Sequence, residues 1–132
     1  MVDVRYDAVL VREDVVRVVV EGELDVYTAP AYREYLLAQL PEGVHLHLLL
    51  DLRGVGYWDS TALGATVAAL NVLRGRGGVM AVRGNGHVAD VLRITGLSRV
   101  IRMVESDEEA LELFAAAPCP AGGSGGGSGE VR

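Results

Sequence analysis

The sequence has no lysine and a single cysteine, Cys119. A lone cysteine closes no internal bridge, which is compatible with a reducing compartment. Positive charge is scarce: 12 basic residues, all arginine, face 18 acids for a formal net charge of −6. That balance argues against a protein that binds a phosphate backbone, so no nucleic-acid partner is expected. No apolar run approaches the roughly 20 residues a membrane helix needs, so no membrane association is expected either. The opening segment MVDVRYDAVL mixes acids among its apolar residues and lacks the charged-then-apolar pattern of a signal peptide. These absences leave a soluble, cytoplasmic domain as the expectation. At 132 residues the chain is long enough for one domain, and it buries about two-thirds of its unfolded surface without a disulfide or metal staple.

What is present alternates between strand and helix signals over residues 1–117. Val4–Val11 and the β-branched run Val15–Val20 flank Glu13 and Asp14, which predicts a hairpin, with Gly22 and Glu23 closing the second strand. Thr28 and Pro30 open a helix in which Tyr32, Leu36 and Leu40 recur at helical spacing, and Pro41-Glu-Gly ends it. Val44–Leu52 is nearly continuous in apolar residues, as a strand covered on both faces is. A second helix is predicted over Ser60–Arg74, with Leu63, Val67 and Leu70 as its apolar stripe and Gly75 and Gly77 beyond it. Val79–Val82 reads as a short strand. Val88, Val91 and Leu92 mark a third helix stopped by Gly96, and Val100–Val104 a last strand. Ser106 with Glu109 forms a capping box before a final helix carrying Leu111 and Phe114. The order β-β-α-β-α-β-α-β-α predicts an α/β fold with a mixed, mostly parallel sheet of about five strands and about four helices. Residues 118–132 read PCPAGGSGGGSGEVR, a composition that buries too little apolar surface to order itself, and are expected to be a flexible tail.

Several chemical motifs fail on their own terms. A serine nucleophile elbow at Ser60 needs glycine two residues before and after, where Trp58 and Ala62 stand. Gly84-Asn-Gly-His-Val-Ala89 follows a strand and has Glu105 near the distance of a ribose-binding acid. It lies so late in the chain that no second half of a dinucleotide fold can follow, so a flexible strand-to-helix turn is the better reading. His45 and His47 share a strand face by period two, but no third ligand lies near, and hydrogen bonding within the fold is expected of them. No catalytic residue, cofactor or metal is expected.

Val55-Gly-Tyr-Trp-Asp-Ser-Thr-Ala-Leu-Gly64 is different. Asp59, Ser60 and Thr61 stand together at the start of an amphipathic helix. One of them is explained as an N-cap, typically worth about 1 kcal/mol, but three in a row are not. A phosphate on an exposed serine there adds close to two negative charges, attracted by the helix dipole and repelled by Asp59. A partner docking over it would have to desolvate that dianion. Losing about 3 kcal/mol in this way weakens binding more than a hundredfold. The position suits a switch.

Asp59-Ser-Thr-Ala-Leu-Gly64, preceded by Leu49-Leu-Asp-Leu-Arg-Gly-Val55 and by Gly22-Glu-Leu-Asp25, resembles the STAS-domain anti-sigma factor antagonists of bacteria. The likeness covers about residues 4–116 and includes Ile94-Thr-Gly-Leu97. It implies a non-enzymatic STAS-like domain. Such a domain binds an anti-sigma factor, usually a histidine-kinase-like serine kinase, and so releases a sigma factor. The kinase uses ATP to phosphorylate the serine after the motif's aspartate, which ends binding, and a serine phosphatase restores it. Carried over, Ser60 is the phosphoacceptor and Thr61 the alternate hydroxyl. Asp25 and Asp59 lie beside Ser60 at the partner surface, and Leu63 and Gly64 begin the helix that partners contact. The family usually has glycine where Ala62 stands, and an aliphatic residue in place of Trp58. Trp58 reads as a strand-end residue half-buried against the helix, with an interface anchor as the alternative. Arg93 reads as a solvated charge rather than a flank of that surface. A STAS scaffold or sensor subunit whose Ser60 is never phosphorylated is the alternative function, though such proteins usually carry a sensory domain for which this length leaves no room. An enzyme or ligand binder using the Gly84 loop is the third.

Overall fold

The computed structural model describes residues 4–117; the expected tail and Cys119 lie outside the described residues. In chain order the elements are β1 (Arg5–Arg12), β2 (Val15–Leu24), α1 (Ala29–Ala38), β3 (His47–Trp58), α2 (Ser60–Gly75), β4 (Met80–Arg83), α3 (Gly86–Ile94), a single 3-10 turn (Leu97–Arg99), β5 (Arg102–Met103) and α4 (Asp107–Ala115). The sheet runs β1-β2-β3-β4-β5. β1 is antiparallel to β2 through the expected hairpin, and all later neighbours are parallel.

Because sheet order equals chain order, every crossover steps the same way. Right-handed crossovers then place α1, α2 and α3 on one face. There, Val16, Val18, Val20, Leu48, Leu50 and Leu52 pack against Tyr32, Leu36, Ala62, Ala65, Ala69 and Leu73. α4 follows the last strand and covers part of the other face, where Phe114 and Ala110 meet Val15, Leu49 and Ala81. β3 is apolar at successive positions because both of its faces are covered. Its opposite-face residues His47 and Asp51 are polar exceptions, and both are buried.

Two strand boundaries differ from expectation. β3 starts three residues later and continues through Arg53–Trp58, because β2 also runs on past Gly22 and supplies its ladder: Gly22 pairs Val55 and Leu24 pairs Trp58. Gly54 suits this stretch, since a Cβ there would lie 2.9 Å from Glu21 Cγ and oblige that exposed side chain to shift. Conversely, the last strand shrinks to Arg102–Met103. The turn at Leu97 takes its place, accepting the N–H groups of Val100 (3.0 Å) and Ile101 (2.8 Å). Gly96 enters that turn at φ 79°, a left-handed conformation that L side chains rarely adopt.

Candidate functional site

The carboxyl ends of β2, β3 and β4 lie at one end of the parallel sheet, and the loops leaving them form a single surface. Leu24 and Trp58 are register partners, and the Asp59 N–H donates to the Leu24 carbonyl at 3.2 Å. The residues that follow, Asp25 and Asp59, therefore start neighbouring loops although 34 positions separate them in sequence.

Each aspartate organises its own loop. Asp25 Oδ1 accepts the N–H groups of Tyr27 (2.9 Å) and Thr28 (3.0 Å). Thr28 Oγ1 accepts the Asp25 N–H (2.9 Å) and donates to the Glu23 carbonyl (2.9 Å). The Thr28 N–H bond, joined by that of Tyr27, holds the Asp25 carboxyl below the usual carboxylate range. Asp59 is the N-cap of α2: extended in backbone, it accepts from the N–H groups of Thr61 (3.0 Å) and Ala62 (3.1 Å) through one oxygen. Ser60 is the first helical residue; it and Thr61 are exposed.

Behind this rim α2 is anchored. The Thr66 hydroxyl donates to the Ala62 carbonyl (3.1 Å), and the buried Tyr32 hydroxyl reaches Thr66 at 2.6 Å, tying α1 to α2. Burial raises the Tyr32 pKa well above its ordinary value, so the phenol stays neutral. Ala62 is fully buried, so its methyl faces the core rather than any incoming partner. Leu63 is partly buried against the core. Gly64 is exposed, and a Cβ built on it meets nothing within 4 Å. Nothing in the fold requires a glycine there.

Other sequence expectations are settled by burial. Trp58 is 2% exposed, more enclosed than the half-buried reading, and so is no interface anchor. Arg93 is exposed and paired with Asp90 one helical turn away, as a solvated charge. In the Gly84 loop, Asn85 caps α3 through the Val88 N–H (3.0 Å) and donates to the Val55 carbonyl (2.8 Å). A Cβ on Gly84 would lie 2.8 Å from Val88, so this glycine serves packing. His45 lies before β3, not on it, with Nδ1 3.1 Å from the Arg76 carbonyl. His47 is buried, accepts the Val79 N–H on Nδ1 (2.9 Å) and stacks on Phe114. Among the described residues no group of three or more His, Cys, Asp or Glu is placed to hold a metal ion.

Two features escaped the sequence. Val26 (54% exposed), Tyr27 (88%) and Tyr57 (49%) leave apolar surface in water around the sheet's carboxyl edge. Tyr57 stacks on His87, whose Nε2 lies 3.4 Å from the Trp58 carbonyl. The available signal was an apolar pair, Val26-Tyr27, directly after a strand-closing aspartate. The second is an ion cluster at the amino end of α4. Asp51 receives a fork from Arg53 (3.0 and 2.8 Å) and a bond from Arg17 (3.2 Å). Arg17 and Arg83 both reach Asp107 at 3.0 Å. Burial pushes the Asp51 pKa up, but the Arg53 hydrogen bonds and the two positive charges outweigh it, leaving it lowered.

The model of the STAS domain matches residues 7–110. An anti-sigma-B factor antagonist of Listeria monocytogenes is 38% identical over 98 residues, covering 73% of this chain and 84% of its own. Among solved structures, an anti-sigma factor antagonist from Mycobacterium paratuberculosis superposes with a TM-score of 0.73 at 23% identity, covering 86% of this chain and 95% of that one. The Bacillus cell fate determinant SpoIIAA in its phosphorylated form superposes at 0.64 and 16% identity, covering 83% and 99%. At those identities the structures establish the fold, a single domain with five mixed strands and four helices. The family model and the Listeria relative carry the assignment further: the chain belongs to the STAS domain family, among the anti-sigma factor antagonists.

Proposed function

We propose that this antagonist binds its anti-sigma factor, a serine kinase of the histidine-kinase-like type, through the surface around Ser60. Binding releases a sigma factor, phosphorylation of Ser60 ends it, and a serine phosphatase restores it. The reading places this exchange in the cytoplasm. The observation that carries it is an exposed hydroxyl at the first position of α2, framed by two loop-organising aspartates and by the exposed Val26, Tyr27 and Tyr57.

The chemistry follows from what is already engaged there. Asp59 occupies the N–H groups of Thr61 and Ala62 that a phosphate on Ser60 would otherwise take. The added dianion then sits outward, beside a carboxylate of like charge, on the face a partner must desolvate. Phosphorylation acts by charge and bulk at the interface, with little change of fold, because a helix N-terminus tolerates an anion. Gly64, which the fold does not require, supports the same reading: it leaves the helix surface flat one turn beyond Ser60. Asp25, Asp59, Ser60, Thr61, Leu63 and Gly64 make up the proposed contact set.

Phosphosite mapping of the protein recovered from its native cells, with co-purifying proteins identified in the same run, tests the reading. Phosphate on Ser60 together with a serine-kinase-like partner supports it. In binding assays with that partner, Ser60→Ala binds and resists inactivation, while Ser60→Asp binds at least about a hundredfold more weakly. Equal affinity of Ser60→Asp and wild type overturns the switch. Sustained absence of phosphate, with other STAS proteins co-purifying, favours the scaffold reading.

A further inference from the structure

The two edges of the sheet are unlike. β5 is two residues long and offers little ladder to another chain. β1 is eight residues long, and its outer edge carries Val9, Leu10 and Val11 at 47%, 62% and 40% exposure. No proline lies in this strand, and its charges, Arg5, Asp7 and Arg12, lie towards its ends. An edge that is long and apolar at its centre is a template for another strand.

We propose that the occupant is a second copy of this chain, its β1 pairing antiparallel with this one across a two-fold axis through Val9. A two-fold contact must be self-complementary, and β1 is so in this register. Val9 meets Val9. Ala8 meets Leu10 of the copy, small against large. Arg5 meets the copy's hairpin turn, where Glu13 is exposed, and symmetry makes that opposite-charge pair twice. Moving the axis by half a residue, to between Ala8 and Val9, would set Arg5 against Arg12 and turn the apolar sets to opposite faces. The favoured register keeps Tyr6, Ala8 and Leu10 of both copies on the α1 face, as their partners in β2 dictate. On that face an apolar groove lined by Ala8, Leu10, Val16, Val44 and Leu46 adjoins β1, and Leu10 of the copy extends its wall. The dimer is a continuous ten-stranded sheet. Arg5 pairs Glu21, so the amino end of β1 lies toward the Ser60 end of the sheet. The two-fold axis therefore sends the two Ser60 surfaces to opposite ends, both uncovered.

The test uses the full chain. In sedimentation velocity from micromolar to millimolar concentration, the species moves from 14.0 kDa toward twice that mass. Val9→Lys raises the dissociation constant at least about tenfold, since it places like charges opposite each other. Glu13→Arg weakens the dimer and Arg5→Glu with Glu13→Arg restores it. In a Cys119→Ser background, Val9→Cys cross-links to itself under mild oxidation. Arg5→Cys does not, because the register separates the two Arg5 Cα atoms by about 27 Å at the usual strand rise. A monomer throughout the concentration range overturns the proposal. So does a dimer indifferent to Val9→Lys, and so does equal cross-linking at the two positions. Arg5, Val9 and Glu13 are at the surface or in the turn, and circular dichroism verifies that each variant is folded.

Discussion

Replacing Gly64 with alanine separates what the fold needs from what the proposed partner needs. Gly64 is the fifth residue of the 16-residue α2, inside the helix rather than at a cap. A glycine there costs about 0.8–1 kcal/mol relative to alanine through backbone entropy alone. The usual compensation is close packing, but a Cβ at this position meets nothing within 4 Å. Gly64→Ala is therefore expected to stabilise the isolated protein by close to that full amount. For a domain of this size the gain raises Tm by roughly 3–6 °C, read by circular dichroism melts or by the urea midpoint at unchanged slope. The same methyl intrudes on a partner seated against the helix surface. Overpacking one methyl typically costs about 1–3 kcal/mol, so affinity for the anti-sigma factor should fall by about five- to 150-fold in titration calorimetry. A destabilised variant would refute the packing argument. A stabilised variant with undiminished affinity would remove Gly64 from the interface.

Further outcomes follow from the buried polar groups. Asp51→Ala should cost about 2–3 kcal/mol in urea unfolding, below the figure for a fully buried pair, because Arg53 can turn to water and Arg17 keeps Asp107. Tyr32→Phe should cost about 0.5–1.5 kcal/mol, since Thr66 loses the phenol but keeps its own bond to Ala62. His47 should make stability fall with acidity. Burial lowers its pKa in the folded protein, with Asp14 only partly opposing, so the unfolded chain takes up a proton first. Stability is complete above the unfolded value of about 6.5 and declines as pH drops below it toward the folded value. His47→Gln should flatten the decline of stability below about pH 6.5, and an unchanged slope would refute the assignment.

Much of this protein is local in character and was readable in one dimension. Apolar period identified the five strands and four α-helices in order, though not the 3-10 turn at Leu97–Arg99, because a strand or helix must turn one side to a core. Cap chemistry placed helix starts at Asp59 and Ser106, whose side chains accept the N–H groups expected of them. The motif around Ser60 needed only neighbouring residues. What the sequence could not show is everything that depends on pairing between distant segments. The juxtaposition of Asp25 with Asp59, expected only through the family resemblance, has its physical cause in the Leu24–Trp58 register, and the same extended ladder turned Arg53–Trp58 from an expected loop into strand. Asp51 looked like one polar interruption in an apolar run. Only the parallel stacking of β2, β3 and β4 beside α4 brings three arginines and a second aspartate around it. Trp58 and Tyr57 are adjacent in sequence and both aromatic, yet one is buried and the other open. Alternation along a strand sends neighbours to opposite faces, and tertiary packing decides which face is covered.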